Sequence, residues 1–102
     1  MTQWYDAAAS DAVTEDAVLG CAVNGVPVAI FRVEGEVFAL YDLCSHGHAR
    51  LSDGYVEDDC VECPLHQGLV DIRTGKPRSA PISEPVRSIP AREVEGRIEV
   101  EL

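Results

Sequence analysis

Two short segments of this 102-residue chain each combine a cysteine and a histidine at close spacing. The first reads Cys44-Ser45-His46 and the second reads Cys63-Pro64-Leu65-His66, with sixteen residues between His46 and Cys63. Thiolates are soft metal ligands, and neutral imidazoles bind iron, zinc and copper. Two such segments lying side by side would supply four ligands, so metal binding is the chemistry that these residues predict.

A [2Fe–2S] cluster fits this donor set, because each of its two irons needs two protein ligands besides the bridging sulfides. Two cysteines on one iron and two histidines on the other satisfy that count. Neutral imidazoles in place of thiolates remove negative charge from one iron, which then accepts an electron more easily. Cys44, His46, Cys63 and His66 therefore predict one cluster that carries single electrons.

Zinc is the first alternative, since two cysteines and two histidines also bind it tetrahedrally. Zinc-finger spacing, however, groups the two cysteines in one close pair and the two histidines in another, whereas each pair here is mixed. A second zinc grouping, Cys60-x-x-Cys63-x-x-His66, would leave Cys44 and His46 unexplained. Thiols and imidazoles scattered by chance are the third alternative.

The charge of the chain limits its partners. It carries 18 acidic and 8 basic residues, for a net charge of −10. Nucleic acid and anionic membrane surfaces both attract basic proteins, so we expect neither as a partner. The acidic excess favours solubility, and it would also steer the protein toward a basic partner. The run Glu57-Asp58-Asp59 is either a solvated turn or part of such a docking surface.

The chain lacks the patterns of a membrane or exported protein. Its longest apolar stretch, residues 26–31, is too short to span a bilayer, and the first residues have no basic and apolar leader. We therefore expect a cytoplasmic monomer. Because disulfides are rare in that compartment, four cysteines favour metal binding.

Short β-branched runs separated by glycine-containing turns predict an all-β fold. The predicted strands are 18–23, 26–33, 36–41, 91–94 and 98–102, with shorter ones near 55–56, 60–62 and 69–72. Asn24-Gly25 is the strongest hairpin signal, and a single helical turn is expected within residues 10–16. The prediction is one domain over residues 1–102, with two metal-binding loops at about 43–53 and 62–70.

The complete pattern resembles the Rieske family, and in particular the ferredoxin components of bacterial aromatic-ring-hydroxylating dioxygenase systems. Four segments carry the resemblance: Cys44-Ser45-His46-Gly47-His48-Ala49, Leu51-Ser52-Asp53-Gly54, Glu62-Cys63-Pro64-Leu65-His66-Gln67-Gly68 and Asp71-Ile72-Arg73-Thr74-Gly75-Lys76. The resemblance implies stacked antiparallel sheets with the cluster at the tip of a small subdomain. It also implies transfer of single electrons from a flavin-containing reductase to a terminal oxygenase.

The chain is not expected to be an enzyme. A Rieske oxygenase also holds a mononuclear iron through two histidines and a carboxylate, and only His48 remains beyond the four predicted ligands. The other functional alternatives are an accessory subunit of a nitrite reductase and a structural zinc module. We interpret His48 as a loop histidine, and Cys21 and Cys60 as buried thiols that pack as small apolar groups.

The first prediction concerns the reduction potential. Respiratory relatives brace their loops with a disulfide and follow the second histidine with Gly-Ser, whose hydroxyl bonds a cluster sulfide; here Leu65 and Gln67-Gly68 supply neither. Such hydrogen bonds stabilise the reduced state, so we expect a midpoint potential near the bottom of the Rieske range of about −150 to +300 mV. A dye-mediated redox titration that gave a value above about +100 mV would contradict this argument. A hydroxyl introduced at Gly68 is expected to raise the potential if the loop tolerates it.

Overall fold

The computed structural model describes residues 2–45, 49–65 and 67–102. Its strands are β1 Trp4–Ala9, β2 Val18–Val23, β3 Val26–Val33, β4 Glu36–Tyr41, β5 Tyr55–Glu57, β6 Cys60–Glu62, β7 Leu69–Asp71, β8 Ser88–Ile89, β9 Ala91–Val94 and β10 Arg97–Glu101. Two single 3₁₀ turns span Ser10–Ala12 and Leu51–Asp53. In these described ranges no helix has the length and apolar character needed to cross a membrane.

The strands form three antiparallel sheets, which confirms the all-β prediction. Their strand orders are β1-β10-β9, β2-β3-β4-β8 and β5-β6-β7. The predicted Asn24-Gly25 hairpin is present, with φ of 50° at Asn24 and 79° at Gly25. Both turn positions need positive φ in this type of hairpin, and Asn and Gly tolerate it best.

Two strands were not predicted from the sequence. β1 has few β-branched residues and exists because it pairs with β10 along its length. β8 lies within the proline-rich return and makes a two-residue pairing with β4. The helical turn expected within residues 10–16 is shorter than that interval, because it ends after Ala12.

The central strand β3 of the four-stranded sheet is buried on both faces. Successive residues of β3 point to opposite sides, so Ala29 and Phe31 enter one core while Val28 and Ile30 enter the other. The loop-side core consists of Ala29, Phe31, Val33, Leu40, Cys44, Leu51, Val61, Cys63, Val70, Ile72, Ile82 and Val86. The termini-side core consists of Ala8, Val13, Val23, Val28, Ile30, Ala39, Ile89, Ile98 and Val100. The loop-side core holds the small β5-β6-β7 sheet and the two cysteine-bearing loops against the rest of the protein.

Arg32 connects three parts of the chain through one side chain. Its Nε donates to the carbonyl oxygen of Val13 at 2.8 Å, and its Nη2 donates to that of Ser10 at 3.0 Å. The guanidinium also binds both carboxylate oxygens of Glu93, at 3.0 and 2.7 Å. The hydrogen bond from Arg32 lowers the pKa of Glu93. Planar, bidentate pairing of this kind needs arginine rather than lysine.

We predict that Arg32→Lys destabilises the protein by about 2 kcal/mol, because lysine cannot reproduce the carbonyl and carboxylate bonds together. The matched control is Arg97→Lys, which alters an exposed pair with Asp6 and should leave stability unchanged within error. The measurement is the denaturant midpoint followed by circular dichroism. Equal shifts in the two variants would show that Arg32 does not hold the chain segments together.

Candidate metal centre

The structure brings the two predicted cysteine ligands into one buried cluster. Cys44 follows β4 and Cys63 follows β6, and their exposed fractions are 4% and 1%. Both belong to the loop-side core, although they are nineteen residues apart in the sequence. The predicted histidine ligands His46 and His66, and also His48, lie outside the described residues. The described site therefore consists of two thiols contributed by two different loops.

Backbone hydrogen bonds close the first loop at its root. The Cys44 N–H donates to the carbonyl of Ala49 at 2.9 Å, and Leu43 forms an antiparallel bridge with Arg50. At the next pair of residues away from the loop tip, the Leu51 N–H donates to the carbonyl of Asp42 at 2.8 Å. The loop is therefore anchored on both sides of Cys44.

The second loop is closed in a similar way. The Cys63 N–H donates to the carbonyl of Gly68, and the Gln67 N–H donates back to the carbonyl of Cys63, each at 2.9 Å. Leu69, which follows Gly68 in the sequence, donates its N–H to Ser79 Oγ at 2.9 Å. These bonds fix the backbone at Cys63 and leave Pro64 and Leu65 on the outside of the loop.

A carboxylate that the sequence analysis missed lies beside the first loop. Asp42 has an exposed fraction of 1%, and Ser52 donates to it twice, from its N–H at 2.8 Å and from its Oγ at 2.6 Å. Arg50 Nη1 lies 3.6 Å from the Asp42 carboxylate. The sequence did contain a signal for this carboxylate, because Asp42 is a charged residue at the end of an apolar strand, two positions before Cys44.

The geometry of β6 argues against a zinc site built on Cys60 and Cys63. Val61 and Cys63 point into the loop-side core, and Cys60 is three residues from Cys63, so its side chain points to the other face. Its Sγ donates instead to Asp59 Oδ1 at 3.6 Å. Across residues 2–45, 49–65 and 67–102, no group of three or more His, Cys, Asp or Glu side chains is placed to hold a metal ion.

The two remaining cysteines differ in exposure. Cys60 is buried, as predicted, whereas Cys21 is only half-buried and packs at the edge of the termini-side core. Burial raises the pKa of both thiols, and the nearby charge of Asp42 raises that of Cys21 further. Neither environment favours a reactive thiolate.

An open groove of about 400 Å³ lies between the two loops. Its lining residues are Ala49, Arg50, Asp53, Pro64 and Leu65. Leu65 is 55% exposed, and together with Pro64 it presents apolar surface to the groove. The groove therefore combines an apolar wall from the second loop with one cation and one carboxylate from the first.

The acidic run Glu57-Asp58-Asp59 is located away from this groove. It forms the turn between β5 and β6, at the opposite end of β6 from Cys63. There Asp58 and Asp59 line an acidic cleft with Glu15, Asp16 and Glu34, and Asp59 lies 3.5 Å from Arg73. Any steering by this run would act through the field of the whole protein and not through contacts beside the loops.

Comparisons with known proteins agree with this architecture. Residues 3–90 match the family model for the Rieske [2Fe–2S] domain. The anthranilate 1,2-dioxygenase ferredoxin subunit of Burkholderia cepacia is 58% identical over 100 residues, covering 98% of this chain and 93% of that protein. The naphthalene 1,2-dioxygenase ferredoxin component of Pseudomonas putida is 42% identical, covering 98% and 96%.

Solved structures give the same result. The ferredoxin of carbazole 1,9a-dioxygenase from Nocardioides aromaticivorans IC177 superposes with a TM-score of 0.91 at 32% identity, covering 96% of each chain. A putative nitrite reductase small subunit from Mycobacterium tuberculosis gives 0.88 at 27% identity, covering 100% of this chain and 96% of that one. The nitrite reductase subunit is therefore less similar in sequence to this chain than the ferredoxin relatives are.

The three-sheet fold and the two cysteine-bearing loops define a Rieske-type iron–sulfur protein, and the chain belongs to the Rieske [2Fe–2S] domain family. Within this family it is a ferredoxin, an electron carrier and not an enzyme, as the sequence predicted.

Packing at Gly68 gives a further prediction. A Cβ at this position would lie 2.7 Å from Ile82 Cγ1 and 2.9 Å from its Cδ1. The loop therefore has little room for a residue that would bring a hydroxyl to position 68. We expect Gly68→Ala to cost about 1–3 kcal/mol through overpacking, and to cost less in an Ile82→Ala background where both carbons are absent. Denaturant midpoints of the four proteins in this cycle provide the test. An identical cost in both backgrounds would exclude Ile82 as the cause.

Proposed function

We propose that this protein passes single electrons from a flavin-containing reductase to a terminal Rieske oxygenase in a system that degrades aromatic compounds. The observation that carries the proposal is that the buried thiols of Cys44 and Cys63 lie in the same core. Each belongs to a different loop, and backbone hydrogen bonds close the base of each loop. The relatives named above are ferredoxin components, and one solved neighbour is a complex of reduced oxygenase with oxidised ferredoxin in carbazole 1,9a-dioxygenase, with a TM-score of 0.88 at 32% identity.

The proposed ligands of one [2Fe–2S] cluster are Cys44, His46, Cys63 and His66, in a single Rieske domain over residues 1–102. The two thiols fit this role, because they are buried together and are held by backbone hydrogen bonds on both loops. When bound, the cluster supplies one-electron redox chemistry at a potential set by its ligands and surroundings. The chain excludes water from the thiolate side and keeps the two loops at a fixed separation.

The class of dioxygenase system, the compartment and the oligomeric state are part of the same proposal. The relatives' names include both anthranilate and naphthalene, so the likeness identifies a class of system and not its aromatic substrate. Free thiols at Cys21 and Cys60 suit a reducing compartment, which favours the cytoplasm. We retain the prediction of a monomer, because an electron carrier that serves two partners in turn needs its loop face free.

The cluster is tested by composition and spectroscopy. Anaerobically purified protein should contain two irons and two acid-labile sulfides per chain, and reduction should give an EPR signal with an average g below that of all-cysteine clusters. His46→Ala and His66→Ala should each lose or convert this cluster. The controls are His48→Ala, Cys21→Ala and Cys60→Ala, which should retain it. Stoichiometric zinc without labile sulfide would refute the assignment.

We further propose that both redox partners dock over the groove between the loops. Its exposed apolar wall at Pro64 and Leu65 suits a small, transient contact of under about 1,200 Å². Electron transfer through this face is favoured because the proposed histidine ligands belong to the same two loops. The acidic cleft at the other end of β6 remains free in such a complex.

Leu65→Ser should slow electron transfer to both partners, since it removes apolar contact area from the groove, and the midpoint potential is measured in the same samples because the new hydroxyl lies beside His66. The matched control is Val94→Ser on β9, where the side chain is 40% exposed and distant in the fold from the loops. Stopped-flow reduction by a dioxygenase-system reductase, and reoxidation by its oxygenase, would be measured across a salt series. Equal rates for the two variants would place the docking face elsewhere.

A further inference from the structure

The buried carboxylate of Asp42 has no role in the electron-transfer function proposed above. A charged group is costly to bury, and Asp42 is the one charged side chain that is buried among residues 2–45, 49–65 and 67–102. It lies two residues before Cys44, at the point where β4 ends and the first loop begins. We propose that Asp42 is a positioning residue that clamps the two ends of this loop and that its charge lowers the reduction potential of the protein.

The clamp has both main-chain and side-chain components. The carbonyl of Asp42 accepts from the Leu51 N–H, and its two carboxylate oxygens accept separately from the N–H and the Oγ of Ser52. Residues 51 and 52 are thereby tied to the residue that precedes Leu43 and Cys44. Because Cys44 lies inside the segment that these bonds close, loosening them would loosen a proposed cluster ligand.

Strand β2 covers this clamp closely. A Cβ at Gly20 would lie 2.5 Å from Ser52 Oγ and 3.2 Å from Asp42 Oδ2, so only a glycine lets the backbone pack there. Asp42 is only 1% exposed beneath this cover, although Asp42, Gly20 and Ser52 also line an open pocket of about 370 Å³ at the surface. The arrangement is therefore a packed hydrogen-bonded unit and not an exposed ion pair.

The charge of the unit is only partly balanced. Arg50 is its nearest cation, at 3.6 Å, but the Arg50 side chain is 55% exposed and its charge is screened by water. A buried negative charge beside a redox centre opposes the addition of an electron, and net charge is one of the factors that set iron–sulfur potentials. Asp42 would thus act in the same direction as the missing hydroxyl after His66.

The two effects can be separated by substitutions in the full-length holoprotein. Asp42→Asn removes the charge and keeps an oxygen that can accept from Ser52, so the midpoint potential should rise, and the rise should persist at high salt. Arg50→Gln removes the partial balance and should shift the potential in the opposite direction. Asp6→Asn, which removes an exposed carboxylate on β1, is the control and should not shift it.

The clamp is tested by the rate at which a chelator bleaches the cluster absorbance. Ser52→Ala keeps the charge and loses one hydrogen bond, and both it and Asp42→Asn should bleach faster than Asp6→Asn, on the order of tenfold. Bleaching at the control rate in both variants would overturn the clamp.

Unchanged potentials in both Asp42→Asn and Arg50→Gln would overturn the role of the charge. If Asp42→Asn held no cluster, Arg50→Gln measured at low ionic strength, where its charge is screened least, would decide, and an unshifted potential would refute the proposal. This inference rests on the proposed cluster, but no redox partner is used in these measurements. Failure of the proposed function would appear separately, as wild-type protein without a Rieske EPR signal.

Discussion

Strand β3 is buried on both of its faces, and the rest of the structure depends on this constraint. Val28, Ala29, Ile30 and Phe31 have no exposed surface and send their side chains alternately into two cores. Burying a Val, Ile or Phe side chain contributes roughly 1.5–3 kcal/mol. The chain therefore cannot shift this strand by one residue without exchanging the contents of both cores. The termini pack on one side of it, and the loops that carry Cys44 and Cys63 pack on the other.

The loop-side core makes the two cysteines of the proposed metal centre part of the folded interior. Cys44 and Cys63 share this core with Leu51, Val61 and Val70, so the positions of these two proposed ligands are fixed by apolar packing as well as by backbone hydrogen bonds. A preformed pair of thiols reduces the ordering that cluster binding would otherwise require.

Charge and apolar surface are separated along the small β5-β6-β7 sheet. The β5–β6 turn carries Asp58 and Asp59 beside an acidic cleft, whereas the opposite end leads into the loops with Pro64 and Leu65 exposed. The proposed contact face combines this apolar wall with one cation and one carboxylate, a mixture that suits a small, transient interface. Arg50 and Asp53 are the charged residues that line the groove, whereas Asp42 is buried, and the cost of burying it is offset by the hydrogen bonds from Ser52.

The sequence by itself determined the features that depend on local spacing. The Cys-x-His and Cys-x-x-His segments, the Asn24-Gly25 hairpin and the strands around it can be recognised within a few residues, because ligand geometry and turn conformation are local properties. Tertiary structure decided what depends on distant partners. β1 and β8 exist only through pairing with β10 and β4, and the direction in which Cys60 points follows from the register of β6. The position of Glu57-Asp58-Asp59 and the contact of Asp42 with Ser52 were decided in the same way, because a charge in a sequence gives no indication of whether folding will leave it in water or bury it against a partner.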